Sequence, residues 1–307
     1  MSRHDAPYPG AMINQWGRRL AIGLPYFWLL IFFLLPFLIV LKISLAEPVL
    51  GQPPYSPLSS WTDEAALQIN INLGNFQLVA EDKLYIEAFV NSLKVAAIST
   101  LLCLLVGYPM AYAIATTSER WRHLLLLMII LPFWTSFLIR VYAWIGILKP
   151  QGILNEVLLA AGLISEPLTI LHTQTAVYIG IVYSYLPFMV LPLYANLAKL
   201  DKTLLEAAAD LGARPFKTLL HITLPLSVPG IIAGSMLVFI PSVGEFVIPD
   251  LLGGPDSLMV GKLMWTEFFS NKDWPLASAL ALTMLILLIV PFVGMQRLHR
   301  RFAEEDE

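Results

Sequence analysis

Residues 201–225 read DKTLLEAAADLGARPFKTLLHITLP, and the architecture of the chain can be worked out from this segment. Asp201 is a favourable N-cap, Gly212 supplies a helix stop, and Pro215 prevents the first helix from continuing. Between them, apolar residues recur at helical spacing. The pattern predicts a short amphipathic helix with an apolar stripe formed by Leu204, Ala208 and Leu211. A second short helix is predicted near residues 216–220.

On both sides of this segment the chain is strongly apolar. Of its 307 residues, 57% are hydrophobic and 13% are charged, well below the roughly 25% charged residues of soluble domains. A bilayer core requires about 20 apolar residues in a helix. We therefore predict an all-α integral membrane protein with six spans, the first retained rather than cleaved as a signal sequence: Leu24–Leu41, Val95–Thr116, Leu124–Leu148, Ala176–Leu197, Val228–Leu252 and Ala277–Met295.

The distribution of charge predicts the orientation of the spans. With the N-terminus inside, the inner segments carry twelve Lys and Arg residues and the outer segments carry six. Because basic residues are retained in cytoplasmic loops, both termini are predicted to be cytoplasmic. The outer segments also hold twelve acidic residues, so their net charge is −6 and a cation is attracted to that face. The overall charge of −3 gives no indication of a nucleic-acid partner.

The chain divides into four regions under this topology. Residues 1–23 form a cytoplasmic N-terminal segment, 24–87 the first span and an outer loop, 88–295 the transmembrane core, and 296–307 a cytoplasmic tail. The long connection over residues 44–91 is predicted to be periplasmic and structured.

Within this outer loop, Leu67–Leu73 alternates with period two, as a half-buried strand does, and Gly74-Asn75 predicts a turn. The loop is a docking surface for a partner or a cap over the helix ends.

The cytoplasmic segment resembles the EAA motif in permease subunits of ABC importers. The matching residues are Glu206, Ala207, Ala208, Gly212, Ile222, Leu224 and Pro225. The resemblance implies a pair of coupling helices in the cleft of an ATPase subunit, with Glu206 facing the ATPase and Gly212 providing the turn. The sequence contains no Walker A pattern. We therefore expect no enzymatic activity and no cofactor in this chain, with ATP and Mg used by a partner ATPase dimer.

Two further segments look like parts of polyamine-importer permeases, particularly the putrescine type. They span residues 131–144 (LPFWTSFLIRVYAW) and 243–255 (VGEFVIPDLLGGP). The likeness implies a multi-pass protein of the bacterial inner membrane with putrescine or spermidine as its substrate. It also implies a second homologous permease, a periplasmic polyamine-binding protein and a lipid environment.

Charged residues inside the spans suggest the translocation path. A charge within a span costs about 2.5–3.5 kcal/mol, so Arg140 and Glu245 require a partner or an aqueous cavity. Counting about 1.5 Å per residue along straight helices places both near the outer surface. We hypothesise that they pair with each other or with the companion permease, and that Glu245 contributes to an outer gate or to attracting substrate amines. A structural salt bridge or snorkelling is the alternative. The predicted path or gate residues are Trp134, Arg140, Tyr185, Glu245 and Asp250.

Other functional classes fit the sequence less well. Five scattered histidines show no metal-ligand spacing, so a zinc enzyme has no support. An ion-coupled secondary transporter would suit six spans but leaves the segment at residues 206–225 unexplained. Ferric ion or another organic cation stays open as an alternative cargo. For Trp134 and Tyr185, ordinary core packing is the alternative to substrate contact.

Overall fold

The computed structural model describes residues 15–61 and 67–304. Within those residues the chain forms fifteen α-helices and one two-stranded sheet, which confirms the predicted helical membrane class. Five helical stretches are long and apolar enough to cross a membrane, and a bent pair makes a sixth. The stretches are Arg19–Ser44, Lys83–Thr116, Phe137–Ala160, Gln174–Leu197 and Trp274–Gly294, and the bent pair is Pro215–Leu226 with Val228–Val243. The side assigned to each terminus and the four-region division stay predictions.

The first span is a long helical run that this chain leaves largely uncovered. It comprises α1 (Gln15–Leu29), a π-helical turn (Leu30–Leu34) and α2 (Leu35–Ser44). None of the residues in its most apolar window is buried, although α2 packs against the last helix of the chain. The run contains the predicted first span and extends it at both ends.

The loop that is predicted to lie outside the membrane is structured, as expected. An antiparallel pair of short strands, β1 (Ser59–Trp61) and β2 (Leu67–Ile69), is followed by α3 (Gly74–Glu81). The predicted strand over Leu67–Leu73 is therefore shorter than expected.

The predicted turn at Gly74-Asn75 is wrong, because these two residues begin α3. The Asn72 side chain accepts from the Gly74 amide at 2.7 Å, as a helix cap would. The Asn75 amide group donates to the carbonyls of Ser44 and Ala46, both at 2.9 Å, and ties α3 to the end of α2.

The third predicted span is not one continuous helix. It consists of α5 (Glu119–Ile130), a 3-10 turn (Leu131–Trp134) and α6 (Phe137–Leu148), after α4 (Lys83–Thr116). Pro132 lacks the amide hydrogen that would continue the helix, and the backbone is extended at Thr135 and Ser136. The prediction of a straight helix over Leu124–Leu148 is therefore wrong.

The two halves of this interrupted span pack at opposite ends of α4. Leu125 and Ile129 in α5 pack on the core cluster that contains Ile114, close to the end of α4. Val141 in α6 belongs instead to the cluster of Val95, nearer its start. α7 (Ile153–Ala160) continues beyond α6.

Three helices form the packed centre of the protein. α4 is in contact with both α8 (Gln174–Leu197) and α12 (Val228–Val243), which also contact each other. Their shared core contains side chains with no solvent exposure, namely Cys103, Met189, Val190, Leu193 and Val238. This centre positions the segments on which the candidate sites lie.

The segment between α8 and α12 contains the predicted short helices. They are α9 (Lys202–Asp210), α10 (Pro215–Thr218) and α11 (Leu224–Leu226), with a π-helical turn over Leu219–Thr223. The helical run Pro215–Leu226 meets α12 at an angle of 66°. Short helices at both predicted positions confirm the prediction from spacing.

The remaining chain contains another interrupted span. The predicted fifth span ends as a helix at Val243, and α13 (Val247–Leu252) resumes after a break at residues 244–246. After a 3-10 turn at residues 255–257, α14 (Val260–Trp265) leads through a π-helical turn, Thr266–Ser270, into α15 (Trp274–Glu304). The bending predicted from proline and glycine is thus confirmed, and α15 contains the predicted sixth span.

Candidate functional site

Local hydrogen bonds fix both ends of the helix that carries the EAA-like residues. The Asp201 side chain accepts from the Thr203 amide at 3.0 Å and caps the start of α9. This backbone hydrogen bond lowers the pKa of Asp201, so the cap is ionised at neutral pH. At the other end, the amides of Gly212 and Ala213 donate to Ala209 and Ala208, both at 2.9 Å. With φ of 75° at Gly212, this is a Schellman motif.

The EAA-like residues divide by exposure. Glu206 and Ala207 are exposed, whereas Ala208 is 7% exposed and anchors α9 to the protein. Pro225 is exposed as well, and Ile222 and Leu224 are half-buried in the helical run that leads to α12. The neighbouring Leu211 and Phe216 are 89% and 70% exposed. The segment therefore presents a carboxylate beside apolar side chains that this chain does not cover.

A cavity of about 520 Å³ lies between α9 and the adjoining ends of α4, α5 and α8. Arg122, Lys202 and Glu206 provide its charged groups, and Tyr112 and Thr223 are among its other lining residues. Glu206 therefore lies where α9 meets the ends of the long helices. A displacement of α9 would change the shape of this cavity directly.

A second cavity, of about 390 Å³, lies where two interrupted spans meet α8. Tyr185 donates to the Glu245 carboxylate at 2.5 Å. The other oxygen of Glu245 accepts from the amides of Val247 and Ile248 at 3.1 and 3.4 Å, so the side chain also caps α13. Glu245 is only 7% exposed. Its charge is stabilised by three donors in place of a cation.

The depth predicted for Glu245 stays a prediction. Tyr185 lies halfway along α8, and its hydroxyl group donates to the carboxylate. The break at residues 244–246 follows α12, so the helix along which the depth was counted is continuous up to Val243.

Arg140 lines the same cavity, but the hypothesised ion pair with Glu245 is not formed. Its guanidinium donates to the carbonyls of Pro132 and Thr135, and lies 5.2 Å from the centre of the Phe133 ring. In the part of the chain that the structure describes, the only ion pair joins Lys262 to Asp250, at 3.0 Å. The pair is absent because the carboxylate is engaged by Tyr185 and the backbone, and the guanidinium by the break in the third span.

The other two predicted path residues lie away from this cavity. Trp134 adjoins the break but is 74% exposed and is not among the lining residues. Asp250 has a 54% exposed side chain and connects α13 to Lys262 in α14. Their role in translocation stays a prediction.

Most of the aromatic wall of this cavity was not predicted from the sequence. Phe137, Phe188 and Phe246 line it together with Phe133 and Tyr185. Phe133 and Phe188 meet edge to face, with ring centres 5.3 Å apart. One signal was available, since Phe188 follows Tyr185 by three residues and so shares its helix face. The convergence with Phe133 depends on the break at Pro132.

A bundle with interrupted spans, a charged cavity among them and a capped two-helix segment at one end defines an integral membrane transport protein. The family model described as "Binding-protein-dependent transport system inner membrane component" matches residues 103–304. The chain therefore belongs to this family.

Curated relatives extend the match over nearly the whole chain. The "Spermidine/putrescine transport system permease protein PotB" of Haemophilus influenzae is 40% identical over 90% of this chain and 92% of its own length. The protein of the same name from Escherichia coli K12 is 41% identical over 85% and 90%. Among solved structures, a chain of a bacterial alginate ABC transporter with a bound periplasmic protein superposes with a TM-score of 0.70. That chain is 17% identical, with coverage of 94% of this chain and 95% of its own, so the likeness concerns the fold.

Proposed function

We propose that this chain is the permease subunit of an ATP-driven importer that carries a polyamine, spermidine or putrescine, across the bacterial inner membrane. The observation that carries the proposal is the 40% identity over 90% of the chain to the Haemophilus influenzae spermidine/putrescine permease. The assembly we propose contains a second homologous permease, a cytoplasmic ATPase dimer and a periplasmic polyamine-binding protein.

In this proposal, α9 transmits ATP-driven movement to the spans. Its exposed face offers Glu206 to a basic side chain of the ATPase, and Leu211 and Phe216 offer apolar contact area. Both ends of α9 are held by hydrogen bonds, so it moves as a unit. Because the cavity beside Glu206 adjoins α4, α5 and α8, a shift of α9 acts on three helices at once.

The cavity between the spans provides a route for an amine. Glu245 supplies a negative charge where water is scarce, and the rings of Phe133, Phe188 and Tyr185 supply faces to which an ammonium group is attracted. Carbonyl oxygens at the break in the third span offer further acceptors. These features support a cationic cargo in preference to an anionic one.

Uptake of labelled spermidine and putrescine tests the proposal. Cells that lack other polyamine importers would express the full importer, with unlabelled di- and triamines or ferric citrate as competitors. We expect competition by the amines alone and no uptake when the companion ATPase is inactivated. Glu206→Ala should reduce uptake about tenfold or more, because a charge-assisted contact contributes about 1.5–3 kcal/mol. The matched control is Asp210→Ala, which removes another exposed acid from α9. Competition by ferric citrate, or uptake without an active ATPase, would contradict the proposal.

A further inference from the structure

Two phenylalanine rings surround the guanidinium of Arg140. The guanidinium carbon lies 5.2 Å from the ring centre of Phe133 and 5.9 Å from that of Phe137. Phe188, from α8, meets Phe133 edge to face and extends the aromatic surface across to Tyr185, at 6.0 Å between centres. We call Phe133, Phe137 and Phe188 the aromatic box. Cations bind such ring faces within about 6 Å.

The polar contacts of Arg140 are all with uncharged groups. It donates to the Pro132 and Thr135 carbonyls, and its buried Nε has no hydrogen-bond partner. Over the described ranges, 15–61 and 67–304, no carboxylate lies within ion-pair distance of it. A guanidinium inside a span is thus held by ring faces and carbonyl oxygens without a counter-ion, an arrangement that an external cation can copy.

The carboxylate in the cavity, that of Glu245, also has hydrogen-bond donors of its own. Glu245 accepts from Tyr185 and from the amides of Val247 and Ile248. The cavity therefore holds one positive and one negative group, each stabilised separately. A primary alkylammonium group requires the same set of partners, namely ring faces, carbonyl oxygens and a carboxylate. Arg140 already occupies the ring faces and the carbonyl oxygens.

We propose that Arg140 is a resident cation, which occupies the aromatic box in place of a substrate ammonium group and must leave before that group can bind. Arg140 then sets how readily the cavity accepts a cation from either side of the membrane. That the substrate is a polyamine rests on the function proposed above. The occupancy of the box by Arg140 does not depend on it.

The first experiment examines the box without a polyamine. Methylguanidinium is added to the detergent-purified complex of this chain with its permease and ATPase partners, and thermal unfolding of this chain is followed. Arg140→Ala should gain a saturable rise of about 3 °C at ten times the dissociation constant, because the ion refills the box. Wild type should show no such rise.

The matched control is Arg122→Ala. Arg122 likewise donates to two carbonyls, those of Ala115 and Thr117, and has a buried Nε without a partner, but among the described residues no aromatic ring lies against its guanidinium. If methylguanidinium stabilises Arg140→Ala no more than wild type, or no more than Arg122→Ala, the resident-cation proposal is overturned. Should Arg140→Ala fail to assemble, Arg140→Gln keeps a donor for the Pro132 carbonyl and takes its place.

The second experiment measures equilibrium binding of labelled putrescine to the same complexes, without the binding protein. Arg140→Gln should bind putrescine about tenfold more tightly than wild type, whereas Arg140→Lys, which keeps the charge, should stay near wild type. Equal or weaker binding by Arg140→Gln would overturn the proposal that Arg140 competes with the substrate ammonium group for the aromatic box. If methylguanidinium refills the box but no polyamine competes with it, the polyamine assignment fails and the occupancy by Arg140 stands.

Discussion

The segment around α9 and the cavity around Glu245 are built in opposite ways. In the first, the hydrogen bonds that fix the two ends of α9 join residues a few positions apart, such as Asp201 with Thr203 and Gly212 with Ala209. In the second, the central hydrogen bond joins Tyr185 to Glu245, which are 60 residues apart. The segment around α9 is therefore fixed by local contacts and can move as a piece. The cavity exists only when the breaks in two spans and the middle of α8 come together.

The largest effect that distinguishes these regions is expected at Glu245. Glu245→Leu leaves the Tyr185 hydroxyl and two backbone amides without their acceptor. It also removes the one carboxylate that lines the cavity among the described residues. Each lost charge-assisted bond contributes about 1.5–3 kcal/mol, so we expect polyamine uptake to fall about 100-fold or more. Uptake and the thermal midpoint of the purified complex provide the measurement.

Tyr185→Phe is the control for this prediction, since it removes one donor and keeps the carboxylate. It should retain more uptake than Glu245→Leu. If the two variants were equally defective, the carboxylate would have no role beyond accepting from Tyr185.

A smaller effect is expected from substitution of Gly261, which disturbs the cavity around Glu245 without changing a polar side chain. A Cβ atom at this position would lie 2.4 Å from the Gly244 carbonyl oxygen and 2.7 Å from that of Glu245. Backbone must therefore shift at the break that positions Glu245. We expect Gly261→Ala to cost about 1–3 kcal/mol of unfolding free energy and to reduce uptake severalfold, as measured by thermal unfolding and transport.

Gly146→Ala is the matched control, because it lies inside α6 with no atom within 4 Å of its built Cβ. Alanine favours a helix over glycine by about 0.5–1 kcal/mol, so this variant should be neutral or slightly stabilised. Equal losses at both positions would show that packing against the break is not the cause.

The smallest effect is expected in the segment around α9, from substitution of Gly212. Gly212 has φ of 75°, and alanine in this conformation costs about 1–2 kcal/mol. We expect Gly212→Ala to weaken stimulation of the ATPase by the substrate-loaded binding protein severalfold, while binding of putrescine to the cavity is unchanged. The two readouts are ATP hydrolysis in liposomes and equilibrium binding.

Gly162 offers the same strain elsewhere, with φ of 70° beyond α7. Gly162→Ala should lose comparable stability and keep normal coupling. A coupling defect of the same size at Gly162 would assign the effect of Gly212→Ala to general destabilisation.

The contrast between these regions also explains what the sequence could predict. Asp201, Gly212 and Pro215 act on their immediate neighbours, so spacing alone predicted α9, its ends and the following short helix. The six apolar stretches were likewise predictable from composition. The hydrogen-bond partner of Glu245 was not, because Tyr185 lies 60 residues away and meets the carboxylate only where α8 packs beside the break at residues 244–246.

The aromatic box illustrates the same limit. Pro132 is a visible breaker, yet the sequence does not show which way the chain turns after it, so the approach of Phe133 to Phe188 could not be predicted. The absence of the Arg140–Glu245 ion pair has the same origin. Both side chains find hydrogen-bond partners at the breaks, in carbonyls or amides that a regular helix would have used internally.

The contact between α2 and α15 has a consequence for biosynthesis. The chain emerges from the ribosome in order, so the first span enters the bilayer roughly 230 residues of synthesis before the helix on which it packs. Until then its apolar side chains have only lipid as a neighbour, which a hydrophobic helix tolerates because its backbone hydrogen bonds are internal. The first span therefore docks only after α15 has been synthesised, and a chain truncated before α15 would keep an inserted but undocked first helix.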